Sequence, residues 1–245
     1  MFTPATFQFL RDLSANNTRD WFEANRPCWE AHGKGPLLAF IADFRPKLQA
    51  IAPQFDATAR SVFRIHRDVR FSKDKSPYKT HLAAQFRHQD VHGAAGDVVH
   101  APAFYLHIAP DAHAESQSES PSETDGASES QIGMRGVFGG FGMWQPEPAV
   151  LRTLRKRMVD DPDAWRKACE GLKLTGSSLK RPPPGFDPAH PLADDLRRKD
   201  FITLTPFTEA DVVRTDFQER YAEACRAAAP LQAWLCAAVG LPFGR

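Results

Sequence analysis

Residues 64–79 read Arg64-Ile65-His66-Arg67-Asp68-Val69-Arg70-Phe71-Ser72-Lys73-Asp74-Lys75-Ser76-Pro77-Tyr78-Lys79. From Ser61 the apolar period changes from helical to alternating. Phe63, Ile65, Val69 and Phe71 therefore predict one face of a strand, and Arg64, His66, Asp68 and Arg70 the other. Arg67 falls on the apolar face, where a cation needs a partner or must reach solvent along its stem. Asp74 is the candidate partner, which makes Arg67 and Asp74 a structural pair, and residues 72–80 read as a loop.

The alternation continues downstream. Residues 81–88 predict a second strand, with Leu82, Ala84 and Phe86 on one side and His81, Gln85 and Arg87 on the other. Residues 103–109 predict a third, with Phe104, Leu106 and Ile108 toward the core and Tyr105 and His107 away from it. A fourth is expected over 133–141, running into Gly139-Gly140-Phe141-Gly142. Short connections favour antiparallel pairing with one face on helices and one polar.

Helical periodicity occupies both ends. Thr3-Pro4 starts a helix that carries Phe7, Leu10 and Leu13. A second starts at Thr18 and carries Trp21, Phe22 and Trp29, with Pro27, Gly33 and Gly35 placed to bend or divide it. A third, over 36–51, lines up Leu37, Phe40, Ile41, Phe44 and Leu48, with a kink expected at Pro46. Past Trp144-Gln145-Pro146-Glu147, one helix is expected to about 159 and another over 162–172. The proline-rich run 179–191 excludes helix and inner strand. A short helix (192–199), a short strand (201–204) and a cap at Thr208 follow. The last helix spans 216–239, with Pro230 as a break point.

The expected fold is α+β: an antiparallel sheet of about four to five strands flanked by N-terminal and C-terminal helices. One domain over 1–245 would hold a helical part (1–55), a sheet (61–141) and a second helical part (146–245). Residues 111–131 carry six acidic side chains and no lysine or arginine, so they are expected to form a disordered insertion.

Net charge is +1 over 245 residues, which argues against a coat protein held on nucleic acid by overall charge. Yet residues 60–90 hold eight lysines and arginines against three acids, so any basic site is local. The four cysteines lack metal-type spacing and read as reduced thiols. With no basic-then-apolar leader and no apolar run near the ~20 residues of a spanning helix, a cytoplasmic protein with no membrane partner is expected.

Arginine forks bind phosphate or carboxylate, and histidine beside a carboxylate moves protons near neutral pH. The polar sheet face thus offers Arg64, Arg70, Arg87, Tyr105 and His107 as ligand-binding candidates, with Lys75 added from the loop. His66, Asp68 and Tyr78 are the catalytic candidates. The plainer reading of the same face is a solvated surface laced with cross-strand ion pairs of little energy. Six of the nine histidines lie between residues 66 and 107, but not at zinc-motif spacing, so no metal is expected and no cofactor is indicated.

The pattern Arg64-x-x-Arg67-Asp68-x-Arg70-Phe71-x-x-Asp74-Lys75-x-x-Tyr78 resembles the signature of a bacterial family known only as a domain of unknown function, DUF2461. Asn16-Asn17-x-x-x-Trp21-Phe22, Trp144-x-Pro146-Glu147, Lys180-Arg181-x-Pro183-x-Gly185-Phe186, His190-Pro191 and Lys199-x-Phe201 resemble the same family. The resemblance implies one shared architecture and picks out the signature residues without giving them roles. The leading expectation is an enzyme or ligand-binding protein for an anionic, phosphate-bearing small molecule. Two alternatives stand beside it: a nucleic-acid- or protein-binding module using the same surface, and a purely structural ionic network.

Overall fold

A computed structural model describes residues 1–70, 72–91, 101–111 and 136–244. Phe71, His92, His100, the start of the expected fourth strand and nearly all of the acidic insertion lie outside the described residues.

The architecture is α+β. Helices α1 (Pro4–Ala15), α2 (Arg19–Ala24) and α3 (Arg26–Cys28) lead through a π-helical stretch, Trp29–Lys34, into α4 (Gly35–Ile51). Pro27 lies in the first turn of α3, just past the break at Asn25, whereas Gly33 and Gly35 widen the helical path without dividing it. A Cβ on Gly33 would lie 2.4 Å from the Trp29 ring, and one on Gly35 would lie 2.6 Å from the Glu30 carbonyl, so the wide turn needs both glycines. Pro46 sits inside α4, which continues past it.

Among the described residues, six strands follow the order β1-β2-β3-β4-β6-β5, every neighbouring pair antiparallel. They are β1 (Phe55–Asp56), β2 (Leu82–His88), β3 (Ala103–Ile108), β4 (Val137–Met143), β5 (Leu174–Thr175) and β6 (Phe201–Phe207). The two-residue strands β1 and β5 are too short to show an alternation and were not expected. Helices α5 (Pro148–Asp160), α6 (Pro162–Ala168), α7 (Ala193–Leu196), α8 (Glu209–Val212) and α9 (Phe217–Ala238) complete the chain. Helix α9 runs through Pro230 without a break. No helix among the described residues is long and apolar enough to cross a membrane.

The inner sheet face packs on helices in two apolar cores. The larger joins Phe86, Phe104 and Phe141 to α4 through Phe40 and Phe44 and to α9 through Tyr221. Phe44 meets the Phe86 ring at 5.3 Å and Tyr221 at 5.0 Å. Gly139 lets α9 come this close, because a Cβ there would stand 3.1 Å from the Tyr221 ring. The smaller core gathers Met143, Leu154, Met158, Trp165, Phe201 and Leu231 between α5, α6, α9 and the end of the sheet.

The other face belongs to neither core. Register puts Gln85 opposite Tyr105 and Gly140, Ala83 opposite His107 and Phe138, and Arg87 opposite Ala103 and Gly142. This outer face carries Phe138, Gly140 and Gly142 on β4, Ala83, Gln85 and Arg87 on β2, and Ala103, Tyr105 and His107 on β3.

Candidate functional site

The signature segment is not a regular strand, which corrects the expectation for 61–71. A 3-10 turn covers Ala59–Ser61, and only isolated bridges follow: Val62 with Ala84, and His66 with Tyr78. Four steps on one side thus face six on the other, so the 78–84 side bulges by two residues. The bulge changes which side chains share a face. Ile65 enters the larger core, whereas Phe63, expected beside it, packs edge-on against Tyr105 at 5.8 Å. Arg64, His66, Asp68 and Arg70 are all exposed, as alternation predicts, but along an interrupted edge segment rather than a sheet face.

Much of the loop's charge is used inside the loop. Arg67 pairs with Asp74 and reaches the Ser72 hydroxyl. Asp74 also accepts from the Ser76 amide at 2.8 Å and its hydroxyl at 2.6 Å, and these bonds with Arg67 hold its pKa down at about 2. Asp68 accepts from both the side chain and the amide of Arg70, which likewise lowers it to about 2. Lys75 donates to the Val69 carbonyl at 2.9 Å. Both carboxylates sit in turns of the type an aspartate makes by bonding the backbone two residues on.

Tyr78 is fixed from the helical side. Its ring, 2% exposed, stacks on Phe22 at 4.1 Å, and the Asn17 carboxamide bonds its backbone amide and carbonyl. His66 lies against this ring at 5.1 Å. Two parts of the chain that resemble one family, around Asn17 to Phe22 and around Tyr78, are therefore in direct contact.

On the outer face, Tyr105 Oη lies 3.1 Å from His107 Nδ1. The buried His107 ring stacks on Phe138 at 4.6 Å and lies tilted against His81 at 4.3 Å. Burial, with Lys79 and Arg67 nearby, pulls His81 down to about 4, so its imidazole is neutral at ordinary pH. Lys79 stands 4.9 Å over the Phe63 ring, which itself meets Tyr105. Gln85 and Arg87 occupy the same face on β2, both half-buried. The structure thus brings Tyr105, His107, Gln85 and Arg87 to one face, together with His81, Lys79 and Phe63. Of these, Lys79 and Phe63 escaped the sequence reading as site residues, because only the bulge turns them this way.

Two buried charges were also missed. Asp200 accepts from the Gln145 amide at 2.8 Å, and from the Ser177 amide and hydroxyl at 2.7 and 2.6 Å, tying β4 to the loop after β5. Arg155 donates to the carbonyls of Leu196 and Arg198 at the end of α7. Both are satisfied by backbone, as buried charges require, and neither has a sequence pattern to announce it. Among the described residues no group of three or more His, Cys, Asp or Glu could hold a metal ion. The four cysteines are free thiols.

Fold and site together define an α+β protein whose sheet has a helix-packed inner face and an outer face bearing basic, histidine and tyrosine side chains. A family model described as conserved hypothetical protein (DUF2461) matches residues 5–115 and 130–234, and the chain belongs to that family. No curated protein and no solved structure matches it.

Proposed function

We propose that the protein binds an anionic, phosphate-bearing small molecule on the outer face of its sheet, as an enzyme or a binding protein. The observation that carries this reading is that Arg87, Gln85, Tyr105 and His107 share the sheet face outside both apolar cores, with Lys79 over the Phe63 ring that borders Tyr105. A guanidinium fork, an ammonium, an amide and a phenol are the donors that oxyanions take. Arg87 is the principal anion clamp and Lys79 the second charge.

The reading moves the ligand away from the signature loop. Arg70 and Lys75 donate within that loop, to Asp68 and to the Val69 carbonyl, and Tyr78 is locked under Phe22. These contacts favour the structural-network alternative for Arg67, Asp68, Arg70, Asp74 and Tyr78, with the exposed Arg64 and His66 at its edge. Loop and face then have different tasks: the loop sets where Phe63 and Lys79 stand, and the face takes the ligand.

Thermal-shift screening against phosphorylated metabolites, repeated with Arg87→Ala, tests the proposal. Stabilisation by a phosphorylated compound, lost in Arg87→Ala with the ligand-free melting temperature retained, is expected. No response to any anion, or an undiminished response in the variant, overturns it.

A further inference from the structure

The fold fixes the Tyr78 ring and leaves its hydroxyl unused. The ring, 2% exposed, stacks on Phe22 at 4.1 Å. Its backbone is tied on both sides, by a 2.8 Å bond from the Lys79 amide to the Ile65 carbonyl and a 2.9 Å bond from the Arg67 amide to the Pro77 carbonyl. Among the described residues Tyr78 Oη makes no hydrogen bond, and it is not closed off from water. Phenylalanine would fill the same space, so packing does not account for the oxygen.

Three other groups gather at this edge. The two backbone bonds bracket the His66–Tyr78 bridge, which brings both side chains to one side with ring centres 5.1 Å apart. His66 is exposed, and its ring nitrogens bond nothing among the described residues. From the helices, the exposed Arg26 stands 5.7 Å over the Phe22 ring on which Tyr78 stacks. Glu23 accepts from Arg26 Nε at 2.9 Å and from Nη2, which leaves Nη1 without a partner among the described residues. Arg26 lowers the pKa of Glu23, and His66 adds to this; Glu23 raises that of Arg26, and Tyr78 adds to that. The four groups are thus within electrostatic reach of one another.

We infer that Tyr78 Oη, the His66 imidazole and Arg26 Nη1 form a carboxylate-binding site at the edge of the signature segment, separate from the outer face. Phenol, imidazole and guanidinium are all donors that an oxyanion takes. The locked ring holds its hydroxyl in place before a ligand arrives, so that donor adds little ordering cost to binding. Glu23 selects among oxyanions. It offsets part of the Arg26 charge and repels a dianion about twice as strongly as a singly charged carboxylate, so the edge suits the smaller charge.

Acetate is the probe, with sulfate as the dianion for comparison. Nuclear magnetic resonance titration of the full chain, at fixed neutral pH and ionic strength, follows the ring C–H signals of His66, identified by their loss in His66→Gln. Acetate should shift these signals saturably, and sulfate should bind there more weakly. Tyr78→Phe should weaken acetate about tenfold, the worth of one hydrogen bond to a charged group, with the melting temperature retained. Arg26→Gln should weaken it as well, whereas Glu23→Gln should tighten it and Arg87→Ala should leave it unchanged. A plain surface ion pair beside an idle phenol predicts none of these shifts. Absence of a saturable shift, an affinity untouched by Tyr78→Phe, or weaker binding in Glu23→Gln overturns the site. A lower melting temperature in Tyr78→Phe also counts against it, since the hydroxyl would then serve the fold. Sulfate bound as tightly as acetate overturns the carboxylate assignment. None of these results touches the outer face, whose clamp is Arg87.

Discussion

The Asn17 carboxamide grips the Tyr78 backbone from both sides: Nδ2 donates to the Tyr78 carbonyl at 2.9 Å and Oδ1 accepts from the Tyr78 amide at 3.0 Å. The clamp spans 61 residues of sequence and fixes the far end of the signature loop to the turn before α2. Asn17→Ala leaves an amide and a carbonyl without this partner, at a cost of about 2 kcal/mol. Asn17→Asp keeps the acceptor and loses the donor, so its stability should fall between. Urea unfolding orders the three proteins, and an Asn17→Ala variant as stable as the parent would remove the clamp from the account.

Asp74 organises the loop by accepting from Arg67, the Ser76 amide and the Ser76 hydroxyl. Its pKa falls from the ordinary 3.8 to about 2, so its stabilisation is fully present above about pH 4 and is lost as pH falls toward 2. Asp74→Asn should therefore lower the unfolding midpoint at neutral pH, and the two proteins should converge near pH 2. A constant gap at every pH would assign the effect to shape rather than charge. The pair is partly exposed, so the gap should be small and shrink with added salt.

His81 gives linkage of the same sign in a higher pH window. Its pKa falls from the ordinary 6.5 to about 4, so between those values the unfolded chain binds a proton that the folded chain refuses. Stability should decline as pH drops through this window, by about 3 kcal/mol in total from this group. His81→Gln cannot titrate and should flatten that part of the stability curve, measured by denaturant unfolding at intervals of pH. An unchanged slope would show that His81 is open to solvent.

The cysteines should differ sharply in reactivity. Burial pushes Cys169 and Cys236 up to about 12 and Cys225 well above its ordinary value, whereas Cys28 is exposed. A thiolate is the reacting species, so a chromogenic disulfide reagent should modify one thiol quickly in the native protein and four after denaturation. Cys28→Ser should abolish the fast phase. A fast phase of two thiols would mean that one of the inner helices opens readily.

Much of the fold was legible because the apolar period is local. Strands β2 and β3 lie within a residue of the stretches that alternate, and α9 covers the predicted 216–239 with one residue trimmed at each end. The antiparallel sheet and its helical flanks follow from those periods. What misled was the same rule applied to 61–71, where alternation of exposure persists without a ladder. Exposure depends on each side chain's own chemistry, whereas pairing depends on the partner strand, and the bulge in 78–84 belongs to that partner.

The candidate site divides in the same way. Sequence alone determined the residue types, the local surplus of cations, the outward direction of Gln85, Arg87, Tyr105 and His107 on β2 and β3, and the family resemblance. Only the tertiary structure decided that Phe63 and Lys79 join them, that His66 lies with Tyr78 instead, that much of the loop's charge is matched within the loop, and that Asp200 and Arg155 are held by backbone groups. The reason is range. A strand period reports which way a side chain points from its own backbone, but an ion pair, a ring stack or a buried charge depends on which distant segment arrives beside it, and that is set by packing.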